Sequence, residues 1–190
     1  VVNETLFPMP VQGPETDERF TPRWVFDALG ETFDLDPASP VGLDTFVPAR
    51  TRYTREDDGL VQPWHGFVWL NPPFSASTPW ARKFIAHGNG IWLGPAAAAA
   101  AWFQSMLRAA DRIWLMRDFA FVHPTHKGKY SSMPLAMCAL GDRAARALDR
   151  AGERVPDAGV IVVRTSFFSL ESLTPAEGSS AFPPPEMTGR

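Results

Sequence analysis

The 190-residue chain is 45% hydrophobic and 21% charged, a globular composition long enough to bury about 70% of its unfolded surface. A net charge of −3 argues against a blanket electrostatic hold on nucleic acid, and a single cysteine excludes an internal disulfide framework or a Cys-cluster zinc site. No run approaches the roughly 18 apolar residues that span a bilayer and no basic-then-apolar leader is visible at Val1-Val2-Asn3-Glu4, so a reducing, cytoplasmic setting without a membrane is expected.

In chain order, residues 1–19 read as a polar N-terminal arm. Thr21 is placed to cap a helix with Pro22 in its first position, an apolar stripe through Trp24, Val25, Ala28 and Leu29, and Gly30 as its stop. Phe33-Asp34-Leu35-Asp36 reads as a short strand, and 37–66 holds only short elements. Gly66 to Leu70 is an unbroken apolar strand stopped by Asn71-Pro72-Pro73. A helix is expected from Pro79 to His87, a strand over Gly90 to Leu93, and a helix from Pro95 through six alanines to about Ala110. Strands over Arg112 to Met116, Met133 to Leu140 and Gly159 to Arg164 follow, with a helix from Asp142 to Ala151 and a Pro- and Ser-rich tail at 170–190. Alternating strands and helices predict an α/β fold, a Rossmann-like three-layer α/β/α sandwich with a mainly parallel central sheet in one domain over 20–169. Ligands in such folds sit beyond the carboxyl ends of the strands. Asp36-Pro37-Ala38 and Asn71-Pro72-Pro73-Phe74 fall at that edge.

Pro73 forces the residue before it into an extended conformation, and neither proline carries an N–H to occupy the Pro72 carbonyl locally. The Asn71 side-chain oxygen and the Pro72 carbonyl therefore converge as two acceptors beside the flat face of Phe74. Two acceptors and a ring suit a planar aromatic amine, such as the exocyclic amino group of a nucleobase swung out of its duplex. Asp34 and Asp36 are not expected to form an acid–base dyad, and Asp36, next to Pro37, is the one placed for a ligand. His123, His126, Lys127 and Lys129 are candidate phosphate contacts, and Arg143, Arg146 and Arg150 read as a solvated helix face. Trp24, Trp69, Trp92 and Trp114 read as core, and Cys138 as a small buried hydrophobe.

Thr21-Pro22-Arg23, Phe33-Asp34-Leu35-Asp36-Pro37-Ala38, Tyr53-Thr54, Asp57-Asp58-Gly59-Leu60, Gln62-Pro63-Trp64 and Asn71-Pro72-Pro73-Phe74 together resemble the Dam-type DNA N6-adenine methyltransferases of phages and prophages, over about residues 20–140. The resemblance implies an adenine-specific DNA methyltransferase in a bacterial or phage-infected cell, with DNA as partner, S-adenosylmethionine as methyl donor and no metal. It makes Asn71, Pro72, Pro73 and Phe74 the catalytic motif, with Asn71 and Pro72 accepting from the amine and Phe74 stacking on the base. Thr21, Pro22, Asp36, Pro37 and Ala38 would line the methionine end of the cofactor, and Asp58 or its neighbour Asp57 would meet its adenine. By their charge rather than by the resemblance, His126, Lys127 and Lys129 are candidate DNA contacts, with a solvated loop as the alternative reading, and Asp44 is a candidate for the ribose.

The chain departs from the wider pattern in three places. Pro40 and Gly42 stand where many methyltransferases carry a glycine-rich loop, Phe74 replaces the commoner Tyr, and alanines fill 96–101. The motif also suits other base amines, N4 of cytosine first, and an amide in RNA or protein. A nucleic-acid- or nucleotide-binding module without turnover is the alternative from a different class.

Overall fold

Apolar runs such as 68–70, 90–95 and 135–140 become the centre of one seven-stranded sheet in the computed structural model, whose described residues are 19–41, 45–122 and 133–163. The strands are β1 (Phe33–Asp36), β2 (Ala49–Arg52), β3 (Val68–Leu70), β4 (Gly90–Pro95), β5 (Arg112–Met116), β6 (Leu135–Leu140) and β7 (Gly159–Val163). Their order across the sheet is β2-β1-β3-β4-β6-β5-β7. β1 pairs in parallel with β2 and β3, and β3 with β4. β6 then runs antiparallel between β4 and β5, and β7 antiparallel along β5. The expected mainly parallel sheet is thus parallel in one half and antiparallel in every pairing of the other. A strand entering between two parallel neighbours from the opposite end satisfies both edges without a crossover helix.

The four α-helices among the described residues are α1 (Arg23–Leu29), α2 (Ser77–His87), α3 (Ala101–Ala109) and α4 (Asp142–Arg154). Successive strand residues point to opposite sides, which divides the core into two apolar clusters. In β1, Phe33 and Leu35 fall to different clusters because the Asp34 and Leu35 N–H groups both reach the Phe67 carbonyl, a local bulge. α1 and α4 pack with Phe33, Trp69, Ile91, Trp114 and Met137 in one. α2 and α3 pack with Leu35, Leu70, Trp92, Ile113 and Cys138 in the other. Trp69, Trp92 and Trp114 are fully buried, whereas Trp24 is 37% exposed and leans on Phe119 at the rim rather than entering the core. Burial pushes the Cys138 thiol up to about 12, which leaves it an inert apolar filler.

Three local expectations change. Pro22, extended at φ −68° and ψ 150°, is the residue at the cap of α1, and its carbonyl takes the Val25 N–H at 3.1 Å. Thr21 stands one residue too far back to cap, so its hydroxyl is left over. The alanine run does not open a helix: β4 continues through Pro95, opposite Leu135, and Ala96 N–H donates to the Pro134 carbonyl at 2.9 Å. Pairing with β6 overrides alanine's helix propensity, and α3 begins only at Ala101. Arg143 stays exposed, as expected of a solvated stripe, but it and the less exposed Arg150 are bonded to α1 and the residues after it. Arg150 donates twice to the Leu29 carbonyl and once to Glu31, while Arg143 holds Glu31 and the Thr32 carbonyl. With Arg154 on the Asp27 and Ala28 carbonyls, α4 satisfies the orphan acceptors at the end of α1.

The placement of the site follows from sheet order. β1 and β3 are parallel neighbours, with Leu35 opposite Val68, so Asp36-Pro37 and Asn71-Pro72 leave the sheet side by side at the same edge. The expected arm at 1–19 (save Arg19), loop at 123–132 and tail from 170 lie outside the described residues.

Candidate active site

A cavity of about 570 Å³ opens at this edge. Asn71 and Pro73 line it from β3, Asp36, Pro37 and Ala38 from β1, and Thr21 from the approach to α1. Asp58 closes it from the turn segment 54–62. Pro22, Asp57, Pro72 and Phe74 are not in its lining. Asp44, His126, Lys127 and Lys129 lie outside the described residues, as does His123.

Asp36 and Asp34, two residues apart, have opposite fates. Asp34 is consumed structurally: its carboxylate accepts the Phe67 N–H at 2.8 Å and meets Arg50 at 3.3 Å. Asp36 is 3% exposed and faces the cavity. Burial pushes its carboxyl up to about 7, against the Ala38 N–H at 3.2 Å, the charge of Arg52 and the hydroxyl of Ser39, which pull it down. A buried carboxyl so poised favours a cationic or strongly donating partner.

Between Asp57 and Asp58 the geometry is unequal. Asp57 spends its carboxylate on the Thr54 N–H at 2.8 Å and hydroxyl at 2.9 Å, which hold its pKa below the ordinary carboxylate range. Asp58 takes the left-handed conformation, φ 55°, at the cavity wall and turns one oxygen to the Leu60 N–H. The turn is pinned from below by Lys83, whose ammonium bonds the carbonyls of Gly59, Leu60 and Gln62. A Cβ at Gly59 would overlap the Pro37 carbonyl, so glycine lets this turn press against the end of β1. Arg19, Ser39, Arg55 and Trp80 also line the cavity and were not singled out for it from the sequence. Ser39 was legible in principle, as the small polar residue ending Asp36-Pro37-Ala38-Ser39.

Asn71 donates its Nδ2 to the Arg19 carbonyl at 2.8 Å, while its Oδ1 is buried without a hydrogen-bond partner. The Thr21 hydroxyl is buried and unpartnered on the same cavity. No donor among the described residues reaches the Pro72 carbonyl, whereas the Pro73 carbonyl takes the Ala76 N–H at 3.1 Å. Phe74 sits beside the motif with the Arg19 guanidinium 4.4 Å above its ring and Phe121 at its edge. The Asn71 Oδ1 and the Thr21 hydroxyl cost about 1–3 kcal/mol each when left without a partner, which marks a site shaped for polar groups that arrive from outside. Among the described residues no group of His, Cys, Asp and Glu is placed to hold a metal, and no helix is long and apolar enough to cross a membrane.

The family model for DNA N-6-adenine-methyltransferase (Dam) matches residues 10–146, well over half of the chain and all of the cavity lining. The chain belongs to the Dam family. No curated protein and no solved structure matches it. Membership brings with it the activity for which the Dam family is named, N6-methylation of adenine in DNA. The matched span ends inside α4, so β7 lies beyond the Dam match and the cavity within it.

Proposed function

We propose that this chain transfers a methyl group from S-adenosylmethionine to N6 of an adenine swung out of DNA, with the base held at Asn71-Pro72-Pro73-Phe74. The observation that carries the reading is the buried, unpartnered Asn71 Oδ1 at the mouth of a parallel-strand edge. The proposal includes the finer fold, a Rossmann-like three-layer α/β/α sandwich in a methyltransferase domain over 20–169, between an arm at 1–19 and a tail at 170–190; the two helix-bearing apolar clusters of the sheet support the layering.

The N6 amine is a weak nucleophile because its lone pair is delocalised into the ring. Asn71 Oδ1 and the Pro72 carbonyl accept its two hydrogens, draw the nitrogen toward a tetrahedral shape and free the lone pair. The same oxygens stabilise the positive charge that develops there. Phe74 takes the base on its face once the Arg19 guanidinium yields that position, so base entry is coupled to movement of Arg19. When bound, S-adenosylmethionine supplies an electrophilic methyl on a sulfonium.

The residues present fit that cofactor. Asp36, poised by burial, pairs with its amino group, and the unpartnered Thr21 hydroxyl hydrogen-bonds its amino-acid end, with Pro37 and Ala38 shaping the wall and Pro22, the residue after Thr21, outside the lining. Asp58, held by the Lys83-pinned turn, addresses the cofactor's adenine, and Asp57 supports that turn. Holding both partners in line supplies up to about 7–11 kcal/mol of the acceleration. His126, Lys127 and Lys129 complete the proposal as phosphate contacts.

Incubation of the protein with labelled S-adenosylmethionine and unmethylated DNA, followed by nucleoside mass spectrometry, tests the reading. N6-methyladenine is the expected product. N4-methylcytosine would reassign the base, and cofactor binding without any incorporation into DNA would reassign the substrate.

A further inference from the structure

The two ends of an asparagine amide are nearly the same size, so only the surroundings decide which one faces a pocket. At position 71 that decision is made by a group with no side-chain signature. The Arg19 main-chain carbonyl, a pure acceptor, takes the Nδ2 hydrogen at 2.8 Å and leaves Oδ1 as the end without a partner. We infer that this carbonyl is the positioning group that commits Asn71 to present an oxygen to the target amine, and that it makes asparagine, rather than aspartate, the working residue here. The inference rests on the proposed role of Asn71 as acceptor.

The carbonyl is itself fixed. The next residue, Phe20, is buried and forms a two-bond antiparallel bridge with Val122, at 3.3 and 2.9 Å. The Arg19 side chain crosses the Phe74 ring, so residue 19 grips the first and last members of the motif at once. Phe74 in turn packs on Phe121, next to the bridging Val122. The segments 19–20 and 121–122 therefore clamp residues 71–74 from one side, independently of any ligand.

A carboxylate at position 71 would bring an oxygen against the Arg19 carbonyl oxygen. It either turns away or takes up a proton and donates it to that carbonyl, which restores the arrangement of the amide. The charged groups facing the cavity are Arg19, Asp36, Arg55 and Asp58, with Arg52 acting on Asp36. Elsewhere on the surrounding elements, Arg23 is paired with Asp27, Arg117 with Asp118, Arg82 is exposed, and Lys83 is bonded to carbonyls. Among the described residues none of these side chains bonds the Asn71 amide.

The test compares wild type, Asn71→Asp and Asn71→Ala in single-turnover methylation of unmethylated duplex DNA at saturating S-adenosylmethionine, from pH 5.5 to 8.5. The expected result is an Asn71→Asp rate at least about 100-fold below wild type at pH 8. Its ratio to wild type should rise at least about tenfold toward pH 5.5, with no such recovery in Asn71→Ala. An Asn71→Asp rate within about threefold of wild type at pH 8 would overturn the inference, because the carbonyl then selects nothing. A deficit identical at every pH would also overturn it, since a purely structural fault does not follow protonation of residue 71. A second readout needs no folded variant: in the wild-type protein, the Asn71 side-chain amide protons should exchange slowly with solvent. Free exchange would overturn the inference. If wild type forms no N6-methyladenine at all, the reading of the site falls first and this inference with it, a failure recognisable before any variant is compared.

Discussion

The two ends of α1 are built in opposite ways. At the C-terminal end, every exposed acceptor has been met: Gly30 turns left-handed to close the helix, and Arg150 and Arg154 reach across from α4 to the carbonyls of Asp27, Ala28 and Leu29. Glu31, its side chain 14% exposed, sits between Arg143 and Arg150. At the N-terminal end, no side chain caps the helix, and the Thr21 hydroxyl lies buried with no partner. On the same cavity, Asn71 Oδ1 is in the same condition and Asp36 is buried against its preference for water. Within a single two-turn helix, one end is settled for stability and the other is left incomplete toward the cavity. Polar groups left wanting in a free protein are where a ligand gains the most from arriving.

Removing the acceptor at the incomplete end should break the contrast most sharply. Asn71→Ala is expected to lower the rate of methyl transfer about 100- to 1000-fold, with the affinity for S-adenosylmethionine nearly unchanged by calorimetry. Next in size, Asp36→Asn should weaken cofactor binding about 10- to 100-fold. The accompanying pH behaviour has a definite sign. Folded Asp36 keeps its proton up to about pH 7, whereas the unfolded chain releases it near 4, so folding takes up a proton in between. Stability of the free wild-type protein should therefore fall as pH rises from about 4 to about 7 and then level off, as urea denaturation at several pH values will show. Asp36→Asn should lose that slope. Cofactor affinity should run the other way in wild type, strengthening through pH 7 as the carboxylate forms.

At the settled end the expected consequences are structural only. Arg150→Ala should cost about 1–2 kcal/mol of stability, read from denaturant midpoints, and leave the rate of methyl transfer per folded molecule unchanged. The smallest effect sharpens the comparison from inside the cavity. Thr21→Val removes an unsatisfied hydroxyl and should stabilise the free protein by about 1 kcal/mol while weakening the cofactor several-fold. A Thr21→Val protein no more stable than wild type would show that the hydroxyl is not orphaned in solution.

Much of this was legible before any coordinates. β3 and β4 are short apolar runs and β1 alternates apolar with acidic residues, each with Gly or Pro close to its ends. Asn71-Pro72-Pro73-Phe74 was legible because two prolines constrain the backbone without any help from the fold. The rest depended on partners far along the chain. Six alanines predict a helix until Pro134 and Leu135 arrive to pair with their beginning. The arginines of α4 look solvated until the end of α1, 121 residues away for Arg150, is placed beneath them. Arg19 was invisible for a different reason: its contribution to Asn71 is a main-chain carbonyl, which every residue type possesses.

The position of β6 bears on how the molecule assembles. All six of its residues are buried, and its register sets Gly90 against Leu140, so β4 and β5 are joined only through a strand made later than both. During synthesis the strands that carry the cavity emerge first, yet β4 keeps an open, apolar edge until the chain has reached residue 140. Contacts so distant in sequence are slow to close, and an unpaired edge containing Ile91, Trp92 and Leu93 invites pairing with the wrong chain in the interval. The cavity-forming half is consequently not an autonomous fragment: a chain cut before β6 should aggregate rather than yield a minimal enzyme.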